Sequence, residues 1–245
     1  MNNHETAPVG ALPDAQFVSG FPVGIVAFTT TRRAGSFGFG SSETVLSVSD
    51  RWSALQDGLG TLGVSRLASA TQIHGAVVAQ QQAGWTGWLR RRGVDGHVTN
   101  VPGTALAITV ADCTPIFIAH PAGAIGALHA GWRGTAAHIL DVGLDLLTAM
   151  GYPAQECTVH LGPAICQSCY EVGPEVLSAV HAKVHLTKGQ LDVRAVLTEQ
   201  AHERRIESVT TSTWCTRCDQ QYFFSHRAGD DGRQLGVILI PGESS

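Results

Sequence analysis

The chain has 245 residues, of which 44% are hydrophobic and only 15% charged, enough apolar material for one large packed domain. A formal net charge of −4, with no Lys/Arg cluster interleaved with aromatics, excludes the electrostatic footprint of a nucleic-acid binder. No run approaches the roughly 18–20 apolar residues that span a bilayer, and the N-terminus lacks the pattern of a secretory signal, so a cytoplasmic protein with no membrane partner is expected.

In chain order, residues 1–15 read as a flexible N-terminal tail ahead of a single domain over 16–245. Phe21–Thr31 is rich in apolar and β-branched residues and predicts an opening strand. The Gly/Ser-rich segment Arg32–Ser42 predicts a loop. Val45, Leu46, Trp52, Leu55 and Leu59 recur at nearly helical spacing, with Gly60 as a stop. A strand is expected over Arg66–Ala79, broken by Gln72-Ile73-His74-Gly75. The basic run Arg90–Arg92 reads as a solvated loop. Ala105–Val110, Ile116–Ala119 and Ala124–Leu128 are apolar strands, the first two separated by Ala111–Pro115. Gly131–Gly134 predicts a tight turn, and a helix is expected from an N-cap at Thr135 to near Gly151. Val159–Leu161 reads as a strand, Pro174–Val184 and Asp192–Glu207 as helices, and Val209–Trp214 and Val237–Ile240 as closing strands. Several strands adjoin without an intervening helix, which points to mixed sheets in an α+β arrangement.

Reactive side chains fall where strands end. His74 lies beside Gly75, Cys113 sits in the break between two apolar runs, and His129 opens the turn Gly131–Gly134. Two imidazoles and a thiolate make a three-ligand set for zinc or another borderline metal. The same residues also suit a cysteine nucleophile, Cys113, with His129 or His74 as its base. Asp112 is a candidate general base, or the carboxylate that orients a histidine. Gly131 and Gly134 permit close backbone approach, and the helix after them offers free N–H groups to an anion. Arg133 in that turn, and Arg227 and Arg233 near the C-terminus, are candidates for binding phosphate or a polar substrate; carbonyl capping and surface ion pairs are the plainer alternatives. His97 follows Gly96 and is a weaker candidate for the same region. Two Cys-x-x-Cys pairs, Cys166/Cys169 and Cys215/Cys218, have residues 170–214 between them and read as unmodified thiols ahead of a second metal site or disulfides.

Taken together, Thr71-Gln72-Ile73-His74-Gly75, Asp95-Gly96-His97-Val98-Thr99, Ala111-Asp112-Cys113-Thr114-Pro115 and His129-Ala130-Gly131-Trp132-Arg133-Gly134 occur in one order. Leu161-Gly162-Pro163-Ala164-Ile165, Tyr170-Glu171-Val172-Gly173, Phe223-Phe224-Ser225-His226-Arg227 and Gly232-Arg233 follow them. This series resembles the laccase-domain family, also called YfiH-like or multicopper polyphenol oxidoreductase-like, over about residues 20–240. The resemblance implies a four-layer α/β/β/α sandwich with mixed sheets. It implies a metal, usually zinc with copper an alternative, on residues matching His74, Cys113 and His129. It further implies phosphorolysis of adenosine, inosine, guanosine and methylthioadenosine, and deamination of adenosine. Nucleoside and phosphate are then the expected partners of a monomer or weak homo-oligomer.

Two other activities attach to the resemblance, copper-dependent polyphenol oxidation and removal of misbuilt peptidoglycan precursors. A metal-free Cys113 hydrolase would perform the second. The oxidase reading needs a cluster of many histidines, usually in His-x-His pairs, and this chain has no such pair. The chain also departs from the family's pattern. Arg32-Arg33-Ala34-Gly35-Ser36 matches its first Gly/Ser loop only in part, Asp50-Arg51 replaces an Asn-Arg pair, and His226-Arg227-Ala228 replaces Tyr-Arg-Arg.

Overall fold

The computed structural model describes residues 5–6 and 12–242. Of the stretch read as a tail, residues 1–4 and 7–11 lie outside the described residues, and Glu5–Thr6 pairs antiparallel with the strand Ala15–Val18.

Two large mixed sheets carry the fold. The first runs Glu5–Thr6, Ala15–Val18, Val26–Thr30, Gln234–Ile240, Thr104–Val110, Arg66–Thr71 and Gly87–Arg92 in spatial order. The second runs Ser208–Thr211, Thr158–Leu161, Thr114–Ala119, Ile125–Ala130, Gly96–Thr99 and Val78–Gln80. Side chains alternate across a strand, so a strand covered on both faces needs apolar residues at every position. Thr104–Val110 shows this: Ala105 and Ala107 pack on one face, while Leu106, Ile108 and Val110 pack on the other. Ile116 and Ile118 likewise point away from Phe117 and Ala119.

The three cores that result define four layers. Val48, Trp52, Leu55 and Leu59 of the helix Val45–Gly60 pack on the outer face of the first sheet, against Phe28, Leu67, Ala105 and Val237. Ala27, Leu106, Ile108 and Ile238 meet Phe117, Ile125 and Ala127 between the sheets. The outer face of the second sheet, with Ile116, Leu128 and Val159, is covered by the helices Ile139–Ala149, Pro174–His181 and Val193–Glu203. This is the α/β/β/α sandwich expected of one domain. No helix among the described residues is long and apolar enough to cross a membrane.

Three local expectations change. The break at Gln72–Gly75 does not interrupt one strand; it carries the chain from Arg66–Thr71 in the first sheet to Val78–Gln80 in the second. The run Arg90–Arg92 is not a loop but the end of the strand Gly87–Arg92, parallel to Arg66–Thr71. That strand is a sheet edge, where charged side chains deter pairing with another chain. The helix expected from Thr135 is two helices, Trp132–Ala136 and Ile139–Ala149, parted at His138, which sits at φ 54°. Thr135 is therefore no N-cap, and its hydroxyl donates back to the Gly131 carbonyl at 3.0 Å.

Candidate metal centre and its cavity

The site forms where the chain crosses between the sheets. Among the described residues three connections pass from the first sheet to the second: His74 lies in the first, after Arg66–Thr71, and Cys113 in the third, between Thr104–Val110 and Thr114–Ala119. His129 lies near the end of Ile125–Ala130, whose next turn doubles back toward both. One ligand-type atom from each of the three lies within 4.8 Å of the other two. The rings of His74 and His129 meet edge to face at 4.8 Å between centroids. Two residues of the crossings, His74 at φ 61° and Asp112 at φ 80°, hold the left-handed conformation that non-glycine residues adopt at a cost of order 1–3 kcal/mol.

Gly131 shows how tightly the centre is walled, since a Cβ there would stand 2.9 Å from Cys113 Sγ. Gly134 is fixed in the same way, with a Cβ 3.0 Å from the Gly75 carbonyl. Both glycines of the His-Ala-Gly-Trp-Arg-Gly turn are thus set by close approach to the trio.

Asp95, absent from the sequence-derived candidates, is the carboxylate that organises this centre. Its Oδ1 lies 3.0 Å from His129 Nδ1 and accepts from the His74 N–H at 2.8 Å; its Oδ2 accepts from Gly75 N–H at 2.8 Å and Ile73 N–H at 3.3 Å. The bond to Nδ1 turns His129 so that Nε2 is free to ligate, the carboxylate–histidine arrangement of metal sites. Burial would raise the Asp95 carboxyl, but its bonds from His129, Gly75 and Ile73 outweigh that and hold it below the usual carboxylate range. Burial alone would also raise the Cys113 thiol, yet the charge and hydrogen bonds of His129, with help from His74, bring it down to about 6. His129 is lifted to about 9 because Cys113 and Asp95 together overcome burial. A thiolate and two imidazoles on converging vectors, one ring already held by a carboxylate, fit a borderline metal such as zinc.

Asp112 does not orient a ligand histidine here. Its Oδ1 accepts from Thr216 Oγ1 at 2.6 Å and its Oδ2 from the Arg227 N–H at 2.7 Å, so it ties the Cys113 turn to two C-terminal loops. His97 also stands apart: it is buried in its strand, with Nδ1 2.9 Å from Gln81 Nε2.

The trio opens into a cavity of about 570 Å³. Arg133, Arg227 and Arg233 all line it, as does Arg90, which sequence reasoning placed in a loop. Arg133 lies over the Trp132 ring at 4.3 Å, Arg227 over Tyr170 at 5.0 Å and Arg90 over Phe39 at 4.6 Å. Arg227 and Arg233 also donate to the carbonyls of Glu171 and Gly232. Among the described residues none of these four guanidinium groups forms an ion pair, unlike Arg32 with Asp230 and Arg51 with Glu43. His226 lines the same cavity. Because Trp132–Ala136 is a single turn, an anion here would rest on guanidinium groups more than on a helix end.

The family model described as multi-copper polyphenol oxidoreductase laccase matches residues 27–241. Purine nucleoside phosphorylase ORF3 of Streptomyces griseus is 33% identical over 177 residues, covering 69% of this chain and 72% of that protein. Adenosine deaminase RL5, from an unknown prokaryotic organism, is 33% identical over 160 residues, 59% of this chain and 58% of its own. The crystal structure of YlmD from Geobacillus stearothermophilus superposes with a TM-score of 0.87 at 26% identity, covering 98% of this chain and 99% of the other. YfiH of Bacillus licheniformis shares the fold at the same TM-score and 22% identity, over 97% of this chain and 99% of that one.

Proposed function

The chain belongs to the multi-copper polyphenol oxidoreductase laccase family, and from that premise we propose that it is a purine-nucleoside enzyme working in the cavity beside His74, Cys113 and His129. Its reactions are phosphorolysis of adenosine, inosine, guanosine or methylthioadenosine, and deamination of adenosine. Relatives named purine nucleoside phosphorylase and adenosine deaminase support the pairing of activities. The observation that carries the reading is one cavity in which a metal-ligand trio faces four arginines whose guanidinium groups form no ion pair among the described residues.

Each part has a separate task. Arg133 and Arg227 grip phosphate through charge-assisted bonds, with Arg90 and Arg233 adding positive charge from the walls. Tyr170 and Trp132 offer aromatic faces to a purine. Phosphorolysis joins a phosphate oxygen to ribose C1′ as the bond from C1′ to the purine nitrogen breaks, and the departing base takes up a proton. Deamination adds water at the purine C6 and releases ammonia. His74, Cys113 and His129 would hold zinc, or copper in its place, as a Lewis acid that activates water near neutral pH. Asp95 keeps His129 in ligating orientation, and Asp112 keeps the Cys113 turn against the Arg227 loop.

The test is an assay on adenosine with and without phosphate. Adenine and ribose 1-phosphate are expected only with phosphate, and inosine and ammonia in either case. Cys113→Ala should lose metal from this centre and both activities. Full activity in that variant, or activity that survives chelation and is ended by thiol alkylation, would overturn the assignment in favour of a cysteine nucleophile.

A further inference from the structure

The two Cys-x-x-Cys pairs, read from sequence as separate thiols, converge. Cys166, Cys169, Cys215 and Cys218 present four sulfur atoms within 4.8 Å of one another. The parallel bridge Ala164↔Cys215 brings the pairs together, and the Thr216 N–H donates to the Ala164 carbonyl at 3.2 Å. Each pair then folds on itself. A 3-10 turn over Gln167–Cys169 brings Cys169 back beside Cys166, and the Cys215 N–H is held by Asp219 Oδ2 at 2.9 Å as the chain turns to Cys218.

We propose that these four cysteines form a structural zinc site, distinct from the His74–Cys113–His129 centre. Zinc–sulfur bonds of about 2.3 Å in a tetrahedron separate sulfurs by roughly 3.8 Å. Cys169 Sγ and Cys218 Sγ stand 3.5 Å apart, close to that spacing and far beyond the roughly 2.05 Å of a disulfide. The backbone N–H groups of Cys166 and Cys218 both donate to Cys215 Sγ, at 3.3 and 3.4 Å, which fixes that sulfur between the two pairs. Four thiolates leave no open position for substrate, so the site is structural and prefers a soft or borderline ion.

Its place in the fold gives it a task. Cys166 follows Ile165 and Cys169 precedes Tyr170, and both neighbours line the cavity. The Ile165 N–H donates to the Asp112 carbonyl at 3.0 Å, and Thr216, between the second pair of cysteines, bonds the Asp112 carboxylate. The zinc would therefore clip two loops that hold the Cys113 turn from behind.

The experiment separates this site from the other by using Cys113→Ala protein, which leaves all four of these cysteines in place. Elemental analysis should find about one zinc per chain. Four thiols should resist a thiol reagent until a chelator or mercurial releases the metal. Cobalt(II) reconstitution should give the strong visible bands and sulfur-to-cobalt charge transfer of a tetrahedral thiolate site, with no cysteine altered in this cluster. Adding Cys166→Ser and Cys218→Ser should abolish all three signals. A Cys113→Ala protein without zinc, with four freely reactive thiols, with a mass deficit showing disulfides, or with iron in the site would overturn the proposal. None of these readouts depends on nucleoside turnover, so they stand whether or not the proposed activity does.

Discussion

Asp95 is fully buried, yet both its oxygens are engaged, by the His129 ring and by three successive backbone N–H groups around His74. One side chain thus sets the direction of one histidine ligand and the loop of the other. Asp95→Asn should weaken zinc binding about 10- to 100-fold, as measured against a chelating dye, because the Nδ1 partner of His129 loses its charge. It should also cost about 1–3 kcal/mol in chemical denaturation, since backbone donors are left without a full acceptor. The pH dependence of zinc affinity follows from the neighbouring pair. Between about 6 and about 9 the metal-free pair holds one proton, on His129, and ligation must expel it. Affinity should therefore rise about tenfold per pH unit across that window from this pair. Below about 6 Cys113 is protonated as well, and the slope should approach a hundredfold per unit. Zinc titrations at a series of pH values check this, and an affinity flat from about pH 6 to 9 would contradict it. His74, Cys113 and His129 were legible in the sequence because each is a reactive residue at a strand end beside a glycine or a break. Asp95 was not, because its value comes from strand register. The His129 N–H donates to the Asp95 carbonyl at 2.8 Å where Gly96–Thr99 pairs with Ile125–Ala130, and one sequence does not reveal which strands pair.

An aromatic column connects the outer helix to the cavity. Trp52 of Val45–Gly60 meets Phe37 edge to face at 5.5 Å and stacks on Trp88 at 4.6 Å; Trp88 stacks on Phe39, and Arg90 lies over Phe39. The helix thereby fixes both the Gly/Ser-rich loop and the edge strand that supplies a cavity arginine. Phe39→Ala removes the ring under Arg90 without touching the trio. Such a contact is worth about 0.5–1 kcal/mol at an exposed position, so KM for phosphate should rise roughly two- to fivefold with kcat nearly unchanged. Steady-state phosphorolysis at varied phosphate reads the split. Trp52→Ala should act differently, costing about 3–5 kcal/mol of stability in denaturant unfolding through the cavity it leaves. The helix itself was legible, because its apolar residues recur at nearly helical spacing and Gly60 marks its end; the structure adds Thr44 as the N-cap, accepting from the Ser47 N–H. The strand under Arg90 was hidden by three consecutive charges, which suit an exposed edge as well as they suit a loop. The division of the later helix at His138 was hidden for another reason: the left-handed turn falls on an exposed histidine, where no glycine marks it in the sequence.

At the scale of the molecule, the centre is a staple across the seam of the sandwich. His74 and Cys113 come from two of the three connections that leave the first sheet for the second, Asp95 comes from the remaining one, and His129 belongs to the second sheet itself. The cores of the layers were readable as apolar runs, whereas the seam was readable only as interruptions in those runs. A metal there binds the folded chain and not the unfolded one, so its binding energy becomes folding energy. With free zinc at about 1,000 times Kd the gain is about 4 kcal/mol, which for a domain of this size moves Tm by roughly 8–16 °C. Chelation of the wild-type protein would strip the four-cysteine site as well, so the decisive comparison is between variants. Zinc-loaded wild type should unfold above zinc-loaded Cys113→Ala by about that amount in calorimetry, and after chelation the gap should shrink to the small cost of the substitution. The four-cysteine site contributes equally to both proteins and cancels. A gap that is the same with and without zinc would mean that Cys113 matters to packing alone and that no ion joins the two sheets there.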